Sequence, residues 1–205
     1  MNVRSVSFLL ALLLLAAPAW AADPWCETGG RSGLRLEWLP LDEADPHLGS
    51  LSVRDAADGR IVQVLEGLEN YSGSLDAVEI ADMDNDGCPD LAVLAQVAAI
   101  GNRSRAFFLY DRSRRRFAWS GELSGIGGLE VDPTDRNCLI AQWKGGAATI
   151  HTARYCWEGG RLALRHEYSV SPMVDEAGEM ACYQHVESFH EAGGTRTETS
   201  CTAEF

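Results

Sequence analysis

Nine residues in the middle of the chain, Asp82-Met-Asp84-Asn-Asp86-Gly87-Cys88-Pro-Asp90, constrain its folding more than any other stretch. Three aspartates alternate, a glycine follows the third, and a fourth aspartate closes the segment. Calcium takes about six to eight hard oxygen ligands at short distance, and a tight carboxylate-rich loop supplies several of them from one short segment. Asp82, Asp84 and Asp86 are expected to offer carboxylate oxygens, Cys88 its backbone carbonyl, and Asp90 a closing carboxylate. Gly87 stands where the chain must turn sharply, which suits a residue without Cβ. The competing reading is a solvated acidic turn without metal, since Asp and Gly are common in turns. Random turns seldom space four aspartates like calcium ligands, and that favours the metal.

The flanks set the architecture. An EF-hand closes with a bidentate Glu at its twelfth position, which here is Val93. Leu91 to Ala95 is instead a short apolar run, and Ala77 to Ile80 also reads as strand. The loop therefore joins two strands rather than two helices. In this it resembles the FG-GAP and VCBS-type repeats, the former being blades of integrin-type propellers.

The ends place the chain outside the cytoplasm. Arg4, an apolar run from Phe8 to Ala17 and the small-x-small sequence Ala19-Trp20-Ala21 read as a signal peptide over residues 1–21. That run is too short to span a bilayer, and no later segment approaches the ~20 apolar residues of a membrane helix. Residues 22–205 are expected to form one exported domain without membrane insertion, periplasmic or secreted. All six cysteines lie in this part, an even number that suits disulfides. Cys138 and Cys156 flank the Lys144–Ala147 turn almost symmetrically, and Cys182 and Cys201 bracket the Glu191–Gly194 turn. Those two pairs leave Cys26 with Cys88. Zinc is a poor alternative because no C-x-x-C pair occurs.

The chain carries 17 basic and 30 acidic residues, a formal charge of −13. Such acidity disfavours nucleic acid and anionic membranes and favours cationic partners or metal ions. The basic residues from Arg103 to Arg116 form a cluster that reads as a solvated hairpin tip. Short strand signals recur at roughly 8–12 residue spacing and helical periodicity is scarce, which predicts an all-β domain of short antiparallel hairpins. Hairpins are expected around Asp55–Gly59, Asp111–Arg116, Lys144–Ala147 and Glu191–Gly194, with a brief helical piece between Glu122 and Gly128. Trp119, Trp143, Trp157, Phe107 and Tyr155 sit in apolar strands, where core packing is the default. If Trp143 and Trp157 face each other, they are expected to cover the Cys138–Cys156 bridge.

From Leu75 to Leu164, the segments IADMDNDGCPDLAVL, FFLYDRSRRRFAW, ELSGIGGLEVDPTDRNCLIAQWKGG and ARYCWEGGRLAL follow one another. Their order resembles that of a group of exported, propeller-like bacterial proteins. The group includes immunity proteins that protect producers against peptidoglycan-cleaving effectors of bacterial-killing type IV secretion systems. The resemblance implies a β-propeller-like arrangement over residues 75–164, one bound calcium and, for some members, inhibition of lysozyme-type glycosidases. It carries the calcium role onto Asp82, Asp84, Asp86, Cys88 and Asp90. The hairpin extension at 171–205 and the six cysteines are departures from the group.

Lysozyme inhibitors of several folds place a small polar loop in the glycosidase cleft, against a protonated Glu and a second carboxylate. Tyr71-Ser72-Gly73 and Ser124-Gly125 are the candidate loops, although neither reproduces the Ser-Gly-x-x-Tyr signature of better-known inhibitors. Two functions are consistent with these residues: an inhibitor or immunity protein against a lysozyme-type hydrolase, and a calcium-stabilised extracytoplasmic binding or adhesion module with another partner. Catalysis is not expected. G-x-S-x-G, H-E-x-x-H and C-x-x-C are all missing. His47, His151, His166, His185 and His190 read as ordinary surface or strand residues.

Overall fold

Alternation of apolar and polar residues, interrupted by Asp- and Gly-rich turns, breaks the chain into thirteen strands among the described residues, 22–203. The leader expected over residues 1–21 lies outside them. In this computed structural model the strands form three open antiparallel sheets, each a meander in which chain neighbours pair. The first holds β1 (Leu34–Asp42), β2 (Asp45–Asp55) and β3 (Ile61–Glu69). The second holds β4 (Val78–Ala81), β5 (Asp90–Val97), β6 (Arg103–Asp111) and β7 (Arg116–Trp119). The third holds β8 (Leu129–Val131), β9 (Cys138–Gly146), β10 (Thr149–Glu158), β11 (Arg161–Val174), β12 (Met180–Glu191) and β13 (Gly194–Thr202). Two four-residue helices, α1 (Pro24–Glu27) and α2 (Gly121–Ser124), and a 3-10 turn at Leu75–Ala77 complete the set among the described residues. The all-β expectation holds, and no sheet is closed into a barrel.

The second sheet is apolar on both faces, and its sequence shows why. Successive strand residues point to opposite sides, and β5 is an unbroken apolar run from Leu91 to Ala95. Leu91 and Val93 join Phe108, Tyr110 and Phe117 in a core shared with Leu51, Val53 and Leu65 of the first sheet. Ala92 and Phe107 face the other way, into a core with Leu129, Leu139, Ala141 and Ala153 of the third sheet. A strand buried on both faces reads as continuous rather than alternating. Each fully buried Leu or Val contributes about 1.5–3 kcal/mol relative to exposure, so the layer that carries the aspartate loop is anchored on both sides.

A side chain also links two sheets where no strands pair. Gln63 of β3 donates from Nε2 to the Phe117 carbonyl at 2.8 Å, and its Oε1 accepts the Phe117 amide at 2.9 Å. Both amide groups of Gln63 thereby extend the edge of the first sheet onto β7.

Several local expectations are corrected. The strand Leu34–Asp42 was not anticipated, although Leu34, Leu36 and Trp38 alternate with polar residues. Arg103 and Arg105 lie in β6 and not at the hairpin tip, and the half-buried Arg105 reaches Glu79 and Glu130. Trp119 is 65% exposed and is not core. Trp143 and Trp157 do not face each other: Trp143 pairs with His151 in register and stacks on its ring at 5.1 Å. The disulfides join Cys26 to Cys88, Cys138 to Cys156 and Cys182 to Cys201, the pairs to which the turn positions lead.

Candidate metal centre and its neighbouring loops

The aspartate loop is the turn between β4 and β5, and its own carboxylates shape it. Asp82 accepts the amides of Asp86 at 3.1 Å and Gly87 at 3.0 Å, one on each oxygen. Asp84 accepts the Asp86 amide at 3.2 Å, and Asp86 accepts the Cys88 amide at 2.7 Å. The chain closes on itself through two left-handed residues, Asn85 at φ 58° and Gly87 at φ 86°. Asn tolerates this region and Gly enters it without cost to a side chain. Carboxylate oxygens of Asp82, Asp84 and Asp86 lie within 4.8 Å of one another. Two ligands on opposite sides of a calcium ion at 2.3–2.6 Å are roughly 5 Å apart, so this spacing fits the ion, and the donors are the hard oxygens it requires.

Asp90 is not in that converging set. It is buried at 1% exposure, and its two oxygens accept the amides of Met83 at 2.8 Å and Tyr110 at 2.7 Å. Through these bonds Asp90, expected as the closing ligand, also ties the loop to β6. Both Asp90 and Asp84 ionise less readily than a free carboxyl. Burial pushes Asp90 up to about 7, the two amides opposing it and the charges of Asp84 and Asp86 adding to it. Burial, followed by the like charge of Asp86, pushes Asp84 up to about 6. Asp86 rises for the same leading reason, with Asp82 adding its charge.

Residues with no metal-ligand signature hold the loop from outside. Trp25 of α1 is fully buried and donates its indole N–H to the Pro89 carbonyl at 2.7 Å. Cys26, next to it, is bonded to Cys88. Asp23 caps α1 through the Trp25 amide and accepts the Tyr110 hydroxyl at 2.8 Å. From the third sheet, Trp157 donates its indole N–H to the Met83 carbonyl at 2.8 Å. The Trp25-Cys26 pair near the start of the domain is the sequence signal for this clamp.

The two candidate inhibitory loops differ. Tyr71 is 53% exposed and Ser72 is exposed. Between the strands they rest on the fully buried Asn70, whose Oδ1 accepts the amides of Ser72 at 3.1 Å and Gly73 at 3.0 Å. The Asn70 amide nitrogen donates to the Ser74 carbonyl at 2.8 Å, and Gly73 at φ 64° packs where a Cβ would meet Pro46 at 2.8 Å. The loop is thus fixed from within, and Tyr71 borders a surface cavity of about 410 Å³ together with His47 and Gln96. Ser124 is unlike these. It ends α2, is half-buried, and its hydroxyl accepts the Phe107 amide at 2.9 Å, a bond between helix and strand.

No protein-family model matches the chain, and no curated protein matches it. Among solved structures, it is similar to a type IV secretion system related protein of Xanthomonas, with TM-score 0.56 and 14% identity. That alignment covers 82% of this chain and 90% of the other. At such identity the likeness is one of fold. A protein of unknown function from Bacteroides fragilis aligns over 85% of this chain and 96% of its own at 8% identity, but its TM-score of 0.26 does not indicate a shared fold. The three disulfides are the usage of a chain that folds outside the reducing cytosol, and no described helix is long and apolar enough to cross a membrane.

Proposed function

We propose that the chain is an exported, calcium-binding immunity-type protein that inhibits a lysozyme-type peptidoglycan hydrolase in the periplasm or outside the cell. The observation that carries this reading is the likeness of fold to the Xanthomonas type IV secretion system related protein. It agrees with the resemblance read from the order of sequence segments. The three successive meanders, with the second sheet packed between the others, are the blades of a propeller-like arrangement in this proposal.

Calcium in this reading is held by Asp82, Asp84 and Asp86 with the Cys88 carbonyl. It is structural, bracing the β4–β5 turn, and it stabilises the fold because it binds only the folded state. Asp90 positions the loop through the Met83 and Tyr110 amides, beside its expected place as closing ligand. No residue is assigned a catalytic role.

The inhibitory contact is assigned to Tyr71 and Ser72. An exposed aromatic on a loop already fixed by Asn70 loses little freedom on binding, which favours affinity. A glycosidase cleft holds a protonated Glu beside a second carboxylate, and the exposed Tyr71 phenol supplies a donor and an acceptor for them. The charge of −13 would speed encounter with a basic hydrolase. Ser124 is less suited because it is half-buried at the end of α2, whereas Tyr71 and Ser72 are exposed.

Titration calorimetry with a panel of lysozyme-type hydrolases tests the assignment. One-to-one binding that Tyr71→Ala weakens at least about tenfold, with Ser124→Ala unchanged in affinity, is expected. Binding indifferent to Tyr71 would move the contact elsewhere. No binding to any hydrolase, with calcium uptake intact, would favour the calcium-stabilised module with another partner.

A further inference from the structure

Sheet edges expose a row of unpaired backbone groups, and most edges here are short or blocked. β4, β7 and β8 have four, four and three residues. β1 contains Pro40 and shifts register beside it. β3 shifts register twice against β2, and its Gln63 is bonded to Phe117. β13 has none of these devices. It pairs with β12 in unbroken register from Glu191↔Gly194 to Tyr183↔Thr202, every residue in it is exposed, and it has no neighbour on its other side among the described residues.

Its side chains are arranged to match themselves. Gly194-Thr-Arg-Thr-Glu-Thr-Ser200 reads symmetrically about Thr197 when two copies run antiparallel. Thr197 then faces Thr197 of the second copy, Thr195 faces Thr199, and Arg196 faces Glu198 on both sides of the axis. Directly opposed residues share a face of the sheet, where Thr–Thr and opposite-charge pairs are favourable. Arg196 and Glu198 lie on one face of the strand, where the Arg196 guanidinium sits 4.3 Å over the Phe189 ring and pairs with Glu198. A lone edge guarded by charge would carry like charges at facing positions; these are opposite.

We propose that β13 is a self-association edge, through which two copies of this chain pair antiparallel about a two-fold axis at Thr197 and join their third sheets into one. The symmetry is that of an isologous interface, in which the same patch serves both subunits. The inference is independent of the hydrolase reading and of calcium.

Sedimentation velocity of the disulfide-bonded exported chain over a range of concentrations is the test. The wild-type chain is expected to dimerise reversibly. Arg196→Glu alone places Glu opposite Glu, and Glu198→Arg alone places Arg opposite Arg, so each is expected to weaken the dimer by about tenfold or more. Mixing the two single variants restores opposite pairs, as does combining both changes in one chain, and each is expected to regain wild-type association. Since the rescued forms carry the same substitutions, misfolding would not mimic this pattern. A wild-type chain that stays monomeric at the highest concentration overturns the proposal. So does a dimer indifferent to the charge changes, or a monomer that uses β13 to bind a strand of another protein.

Discussion

Asp84 and Asp90, six residues apart, do different work in the same loop, and substitution separates them. Asp84→Ala removes one of three converging carboxylates and leaves the backbone clamp in place. It should abolish the calcium-dependent rise in melting temperature while changing the metal-free melting temperature little. Asp90→Ala leaves the Met83 and Tyr110 amides buried without partners, at about 1–3 kcal/mol each. Thermal unfolding with chelator present should show that loss, whereas a calcium-site ligand would show it only with metal. Spacing offers Asp90 as a fourth ligand, whereas its bonds to Met83 and Tyr110 are not visible in the sequence. Its partner Tyr110 is twenty residues away, on a strand whose pairing no local pattern fixes. A second acidic group predicts a pH effect. Burial opposes the charge of Asp132, but the Thr134 hydroxyl, the Arg154 guanidinium and the Thr134 amide outweigh it and hold the carboxyl down at about 2. Because this lies below its ordinary 3.8, its contribution to stability is complete above that pH and is lost as pH falls through about 2. Asp132→Asn should therefore flatten the acid limb of a denaturant-midpoint profile between those values, and an unchanged limb would assign it to other carboxyls.

Elements were legible in proportion to how local their signals are. Turns with Asp and Gly marked the β2–β3, β6–β7, β9–β10 and β12–β13 hairpins, and with them the cysteine pairs of the last two. β1 has turn residues on both sides, Gly29 to Gly33 and Asp42 to Pro46, but its register comes from β2 and its burial from the first core. The Cys26–Cys88 bridge emerged by elimination, and the structure shows what it does: it fastens α1, with Trp25, over the loop. It closes 62 residues of chain against 18 for Cys138–Cys156. On the loop-entropy account, the first is worth about 4 kcal/mol and the second about 3. Urea unfolding of the Cys26→Ser/Cys88→Ser and Cys138→Ser/Cys156→Ser variants should show the larger loss in the former, with calcium affinity lowered only there. The reverse order would mean that the N-terminal helix is not the clamp described.

At the scale of the molecule, composition and leader pointed to an exported all-β chain, and the three sheets and three disulfides agree. The layering was not legible. That the loop-bearing sheet is buried on both faces follows from packing among segments far apart in sequence, although the continuous run Leu91–Ala95 was its trace. Trp119 shows the same gap in reverse, since an apolar strand residue can end on an edge and stay exposed. The candidate contact, Tyr71 and Ser72, owes its rigidity to Asn70, a buried polar residue whose side chain bonds three positions around it. In the proposed reading, acidity, export and a fixed aromatic loop combine at this scale to suit an inhibitor of a wall hydrolase.

The most direct measurement is turbidity-based lysis of peptidoglycan by a panel of lysozyme-type hydrolases, with the purified exported chain added in calcium and in chelator. The account predicts stoichiometric protection against at least one enzyme, reduced by Tyr71→Ala and weakened in chelator as the loop-bearing sheet loses its brace. Lysis that proceeds at the uninhibited rate for every enzyme, with the folded chain in excess and calcium bound, would contradict it.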